Sequence, residues 1–146
     1  MDMFIIKDNK NIDPSVFLKV GETFGGFREK QAVDKALEFF FNNLPVWDKF
    51  HDLSFFVLEQ EGKDKLGVAF IWNQLRWYVH FELRQRELAF KLNNNYTPLY
   101  ARVFNSALKN SNREMFYNVR KSLFNSIDFN EAGVFWRYLQ RLRKFK

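Results

Sequence analysis

Three sets of side chains in this chain have types and spacings that could do chemistry. Tyr78, His80 and Glu82 recur at two-residue intervals, so on a strand they would share one surface. If that surface lines a cleft, His80 can exchange a proton and Glu82 can orient it, which is general acid or base chemistry. The second set is cationic. Arg137, Arg141 and Lys144 stand at i, i+4 and i+7, flanked by Arg143 and Lys146, with Arg120 and Lys121 upstream. A helical stripe of this kind can track a phosphate backbone, and it can equally be a solvated face whose cations offset the helix dipole. The third set is aromatic: Trp72, Tyr78 and Trp136 fall outside the apolar stripes and are candidates for gripping a partner or stacking a base.

Familiar motifs fall away on inspection. The His80-x-Glu82 spacing is similar to that of zinc deaminases, but their second motif needs cysteines and the chain has none. His51, the other histidine, lies beside Asp52 in a different segment, and no third metal ligand stands at a recognisable spacing, so neither a metal nor a cofactor is expected. Glu61 and Lys63 have the local spacing of PD-(D/E)xK nucleases, yet they sit in an expected turn, and Glu82 is followed two positions on by Arg84. Gly67 to Ile71 partly resembles the RNP1 motif of RNA-recognition domains. Leu66 stands where the basic residue belongs, and Val68 and Asn73 where the stacking rings belong. The glycines at 21, 25 and 26 lack the lysine of a phosphate loop and the spacing of a dinucleotide fold.

The elements that must carry these groups can be read from caps and periodicity. Asp13 followed by Pro14 is a helix-entry signal, and Gly21 can close the short helix that it opens. A longer helix from about residue 28 carries Val33, Leu37, Phe40 and Leu44 on one stripe and should stop at Pro45. From Leu53 the pattern turns strand-like. Residues 53–60, 66–72, 76–83 and 86–92 read as four strands joined by short turns, and in the third Trp77, Val79, Phe81 and Leu83 alternate inward. Links this short imply an antiparallel meander. Three helices should follow: one opened by Thr97 and Pro98, one by a Ser111/Glu114 capping box and carrying Met115, Val119 and Leu123, and one by Asp128/Glu131 and carrying Ala132, Phe135, Leu139 and Leu142. The fold class expected is α+β: N-terminal helices, a four-stranded antiparallel meander and three C-terminal helices packed on the sheet.

Composition bounds what such a fold is for. A length of 146 residues suits one domain, expected to span 1–146. The absence of cysteine excludes a disulfide scaffold and a thiol nucleophile and fits a cytoplasmic protein. The apolar run at the N-terminus is too short for a signal peptide, and no stretch reaches the roughly twenty apolar residues of a membrane span. Charge divides unevenly: residues 1–100 hold thirteen basic and fourteen acidic side chains, whereas residues 101–146 hold ten basic and three acidic. That asymmetry points to a polyanionic partner. Aromatic residues reach 19%, with 19 Phe and 4 Trp, more than one core stripe per element requires. The expectation is therefore a small non-enzymatic binding or adaptor domain that binds nucleic acid through Arg120, Lys121, Arg137, Arg141, Arg143 and Lys144. The alternative is a protein-interaction module, such as an inhibitor, immunity or assembly protein, or a homodimer, gripping through its aromatic surface. A weaker alternative is an enzyme using His80 and Glu82.

Overall fold

The structure, a computed structural model, describes residues 13–61, 67–117, 119 and 122–144. Its chain begins as the sequence indicates: the Asp13 carboxylate accepts from the Ser15 backbone N–H at 3.0 Å, and Pro14 opens a single 3-10 turn, Pro14–Phe17. The turn delivers Phe17 into the core. Leu18 then pairs with Ile127 in an isolated antiparallel bridge, reinforced by the Lys19 N–H to the Ser126 carbonyl at 2.8 Å and the Asp128 N–H to the Phe17 carbonyl at 2.7 Å. Gly21 and Gly25, both at a φ of 84°, make the left-handed turns leading into the first helix.

Helix α1, Phe27–Asn42, buries Val33, Ala36, Leu37, Phe40 and Phe41, extending the expected stripe. Asn43 ends it, its amide N–H₂ donating to the Phe39 carbonyl at 2.9 Å. Pro45 stops α1, but it also sits in the first turn of the next helix, where its missing N–H costs nothing. Helix α2 therefore restarts at once and runs Leu44–Glu61.

Here the expected sheet fails. Among the described residues there is no strand. Residues 53–60 are the second half of α2, residues 68–72 begin helix α3, Val68–Trp77, and residues 86–91 form helix α4, Arg86–Lys91. The intervening loop, residues 62–66 with Lys63, lies outside the described residues. The third expected strand is the end of α3 followed by a π-helical turn, Tyr78–Glu82, which closes with the Gln85 N–H on the Val79 carbonyl and Arg84 in left-handed geometry at a φ of 55°. Apolar and aromatic side chains recurring through 53–92 suggest strands when read along the sequence alone. Packed against other helices on several sides, the same residues satisfy a helical period instead, since β-propensity largely measures half-buried packing. The fold is all-helical, and the α+β class and the antiparallel sheet are both corrected.

Helix α5, Thr97–Asn110, opens at Thr97 and Pro98 as expected, and the Thr97 hydroxyl donates to the Asn94 carbonyl at 2.9 Å. It is the central element, burying Leu99, Tyr100, Ala101, Val103, Phe104 and Leu108. The helix expected after Ser111 does not form. Residues 113–117 are irregular, a 3-10 turn spans Leu123–Ser126, and the expected stripe of Met115, Val119 and Leu123 is exposed, while Phe116, Tyr117 and Phe124 are buried. Asn105 organises this return: its side-chain oxygen accepts from the N–H groups of Phe116 and Tyr117 at 3.2 and 3.0 Å, and its amide donates to the Tyr117 carbonyl at 2.9 Å. Helix α6, Val134–Lys144, starts beyond Asp128, whose carboxylate instead caps a turn through the Asn130 N–H at 2.9 Å.

The aromatic surplus fills the spaces between helices. Phe40 meets Trp47 from α2, Tyr100 from α5 and Phe135 from α6 at ring separations of 5.5, 5.1 and 5.4 Å. The buried apolar residues form one continuous cluster.

Candidate functional site

Helix α6 has an inward edge of Phe135 and Leu139, both buried, and an outward edge bearing Arg137 and Arg141 one turn apart. Lys144, its last residue, continues that register. No acidic residue occurs along α6. The Arg141 guanidinium stands 5.5 Å from the centroid of the Tyr138 ring, which pre-sets its direction without neutralising it. Arg143 is differently engaged: its guanidinium grips Asp48 of α2 at 2.5 and 3.5 Å, tying α6 to α2. Arg120, Lys121 and Lys146 lie outside the described residues.

The aromatic candidates are enclosed to different degrees. Trp72 is fully buried, its indole donating to the Leu92 carbonyl at 3.3 Å and its ring edge-on to Tyr100 at 4.9 Å. Trp136 is half-buried, its indole N–H shared between the Ser106 hydroxyl and the Phe129 carbonyl at 3.0 Å each. Tyr78 is half-buried beneath the Lys49 ammonium, 4.2 Å from its ring. The exposed rings are others. Phe70, Trp77 and Phe81 are 45, 54 and 58% exposed along the outside of α3 and its π-helical extension, with Trp77 and Phe81 in contact at 5.4 Å. Their spacing of seven and then four residues was the available signal; the two-residue alternation assigned Trp77 and Phe81 to the core.

His80 and Glu82 both fall in the π-helical turn. Two residues apart on a helical turn, they lie on opposite sides of its axis and do not converge. The His80 ring packs against Phe81 at 4.4 Å, and Glu82 is exposed. His51 is 3.6 Å from the Asp52 carboxylate and stacks on Phe55. Among the described residues no group of three or more potential metal ligands comes together, and no helix is long and apolar enough to cross a membrane.

Clefts open beside α1 and α5. One of about 730 Å³ lies between α5 and the 127–131 segment and is lined by Lys19, Arg102 and Lys109 together with Glu22, Asp128 and Glu131. Arg102 is held there by Asn125 at 2.7 and 3.2 Å and by the Pro98 carbonyl at 3.0 Å, and burial lowers its pKa. Two more adjoin along one flank of α1, at about 610 and 390 Å³, and share Lys35 and Tyr96. Tyr96 stacks on Phe39 at 4.9 Å; burial and then the nearby Glu38 raise its pKa, so it stays a phenol at neutral pH.

No protein-family model, curated protein or solved structure matches the chain.

Proposed function

We propose that the protein is a small non-enzymatic binding domain that contacts nucleic acid through the outward face of α6. The observation that carries this reading is the pair Arg137 and Arg141, one turn apart on an acid-free helix whose other edge is anchored by Phe135 and Leu139. Such a face meets successive phosphates with little ordering of the protein. Lys144 shares its register, and the cysteine-free composition fits a reducing, cytoplasmic setting. Three phosphate contacts would make affinity fall about 40-fold between 50 and 200 mM salt. Changing Arg137, Arg141 and Lys144 to Ala should abolish most of the binding and flatten that slope; retention that is indifferent to salt overturns the reading.

A second reading is favoured by the Phe70, Trp77 and Phe81 ridge: self-association, with the ridge of one copy packed on that of another. Rings concentrate binding energy at interfaces, and three stand on one helical edge, two of them in contact. Sedimentation that remains monomeric at the highest soluble concentration dismisses it.

A further inference from the structure

Of the paired clefts on the flank of α1, one is purely cationic and the other carries both signs of charge. The first is lined by Arg28 and Lys35 from α1, by the amides of Asn93, Asn94 and Asn95, and by Ser122, with no acidic residue. Arg28 and Lys35 lie two helical turns apart, about 10 Å along the axis, and form no ion pair among the described residues. Ala32, between them, keeps that face open. Both side chains are long enough to converge on one doubly charged group held over Ala32. The first turn of α5 reaches this cleft at Pro98, and its dipole adds to the positive potential.

The second cleft continues past Lys35 and Tyr96 and is mixed in charge. Glu38 and Glu87 line it together with Lys35 and Lys91, beside the amides of Asn42 and Asn43. The Oδ1 atoms of both asparagines are buried and accept no hydrogen bond within the described chain. Asn43 is only 6% exposed, and its orientation is fixed because its amide nitrogen must face the Phe39 carbonyl. Its oxygen is therefore an acceptor in search of a donor, an arrangement costly enough to call for an explanation. Phe39, Leu88 and Tyr96 supply apolar and ring surface beside it.

We propose that this groove binds a small phosphorylated molecule carrying hydrogen-bond donors at its far end, the chemistry of a nucleoside monophosphate with an exocyclic amino group. The phosphate is held by Arg28 and Lys35, the sugar hydroxyls meet the asparagine amides, and the amino-bearing ring lies toward Phe39 with its donors facing Glu38, Glu87 and the asparagine oxygens. The combined space lies within the range of ordinary ligand sites. This site is separate from the α6 face. Phe39 turns toward Tyr96, whereas Phe41, on the other flank of α1, packs on Tyr138 of α6 at 4.7 Å.

The test is a titration of the full chain with AMP, followed by amide NMR and calorimetry. Perturbations should centre on residues 28–35 and 93–96. Arg28→Ala with Lys35→Ala, two exposed positions whose fold is checked by circular dichroism, should weaken AMP about tenfold or more. Inorganic phosphate should compete, adenosine should bind more weakly than AMP, and AMP should be preferred over inosine monophosphate, which presents an acceptor where AMP presents its amino group. Arg137→Ala with Arg141→Ala should leave AMP binding unchanged, so this proposal and the nucleic-acid reading fail separately. No perturbation by about 5 mM AMP, binding indifferent to Arg28 and Lys35, or equal affinity for the two nucleotides would overturn it.

Discussion

Replacing Asn105 with Ala should cost the fold several kcal/mol, about 3–5. Asn105 is 5% exposed and holds three backbone groups of the 116–117 segment: the Phe116 and Tyr117 N–H groups and the Tyr117 carbonyl. That segment belongs to no helix, so no ladder bond can replace what is lost. Each buried backbone group left without a partner costs about 1–3 kcal/mol. Relaxation of the irregular chain can recover part of the total, which leaves a loss of about 3–5 kcal/mol, a large share of the stability of a typical domain. A chain of this size should then melt about 10 °C lower. Urea titration gives the free energy, and native-state hydrogen exchange gives the location, since the Phe116 and Tyr117 amides should lose protection before α5 does. A loss below about 1 kcal/mol with both amides still protected would refute the idea that one side chain pins this return.

Four further outcomes follow from the same geometry. Phe135→Ala empties the meeting point of Phe17, Phe40 and Phe41 and should cost about 3–5 kcal/mol by denaturant titration. Tyr100 and Tyr117 have pKa values raised by burial, so the stability gained by keeping them as phenols is complete below pH 10 and lost as pH climbs toward their folded values. Phenolate absorbance should accordingly show these two ionising only as the chain unfolds. Trp136→Phe removes a donor shared by Ser106 and Phe129 and should cost about 1 kcal/mol without changing the fluorescence-detected cooperativity of unfolding. Trp77→Ala and Phe81→Ala should leave stability within about 0.5 kcal/mol, measured by the same titration, because both rings are more than half exposed.

Local signals in the sequence carry much of the helical frame and little of its middle. Asp13 with Pro14 and Thr97 with Pro98 mark real helical starts because proline pre-sets the first turn in both, and at Asp13 the side chain caps it as well. The Val33, Leu37 and Phe40 stripe is legible for the same reason: α1 is amphipathic enough to show its period. Trp77, Val79, Phe81 and Leu83 mislead because a helix that ends in a π turn, with exposed rings at 77 and 81, leaves an apolar residue at every second position just as a strand does. Distinguishing the two needs knowledge of which rings face water, and that is a tertiary fact. The Ser111/Glu114 pattern fails differently. Its chain is held by Asn105 and by the Ser54 hydroxyl against the Tyr117 phenol at 2.5 Å, contacts from distant helices that outweigh a weak local cap. For the sites, Arg137 and Arg141 were legible from helical spacing, whereas Arg28, Lys35 and the Asn93–Asn95 amides share a cleft only through the packing of α1 against α5 and its preceding turn.

The charge asymmetry that suggested a polyanionic partner is smaller on the surface than in the count. Arg102 is buried and held by Asn125 and Pro98, Arg113 pairs with Glu59 at 3.1 Å, and Arg143 pairs with Asp48. Each of these cations already has a structural task and would have to break a contact to serve a phosphate. Arg143→Ala therefore separates two accounts of the basic C-terminal region. If net charge alone attracts nucleic acid, removing Arg143 should weaken binding as much as removing Arg137 or Arg141. If the outward face of α6 is the contact, Arg143→Ala should cost no more than about 1 kcal/mol of stability, as exposed ion pairs do, and should leave the salt slope of binding nearly intact. Equal losses of affinity from all three single substitutions, with equal flattening of the slope, would refute the α6 face and return the argument to unspecific attraction.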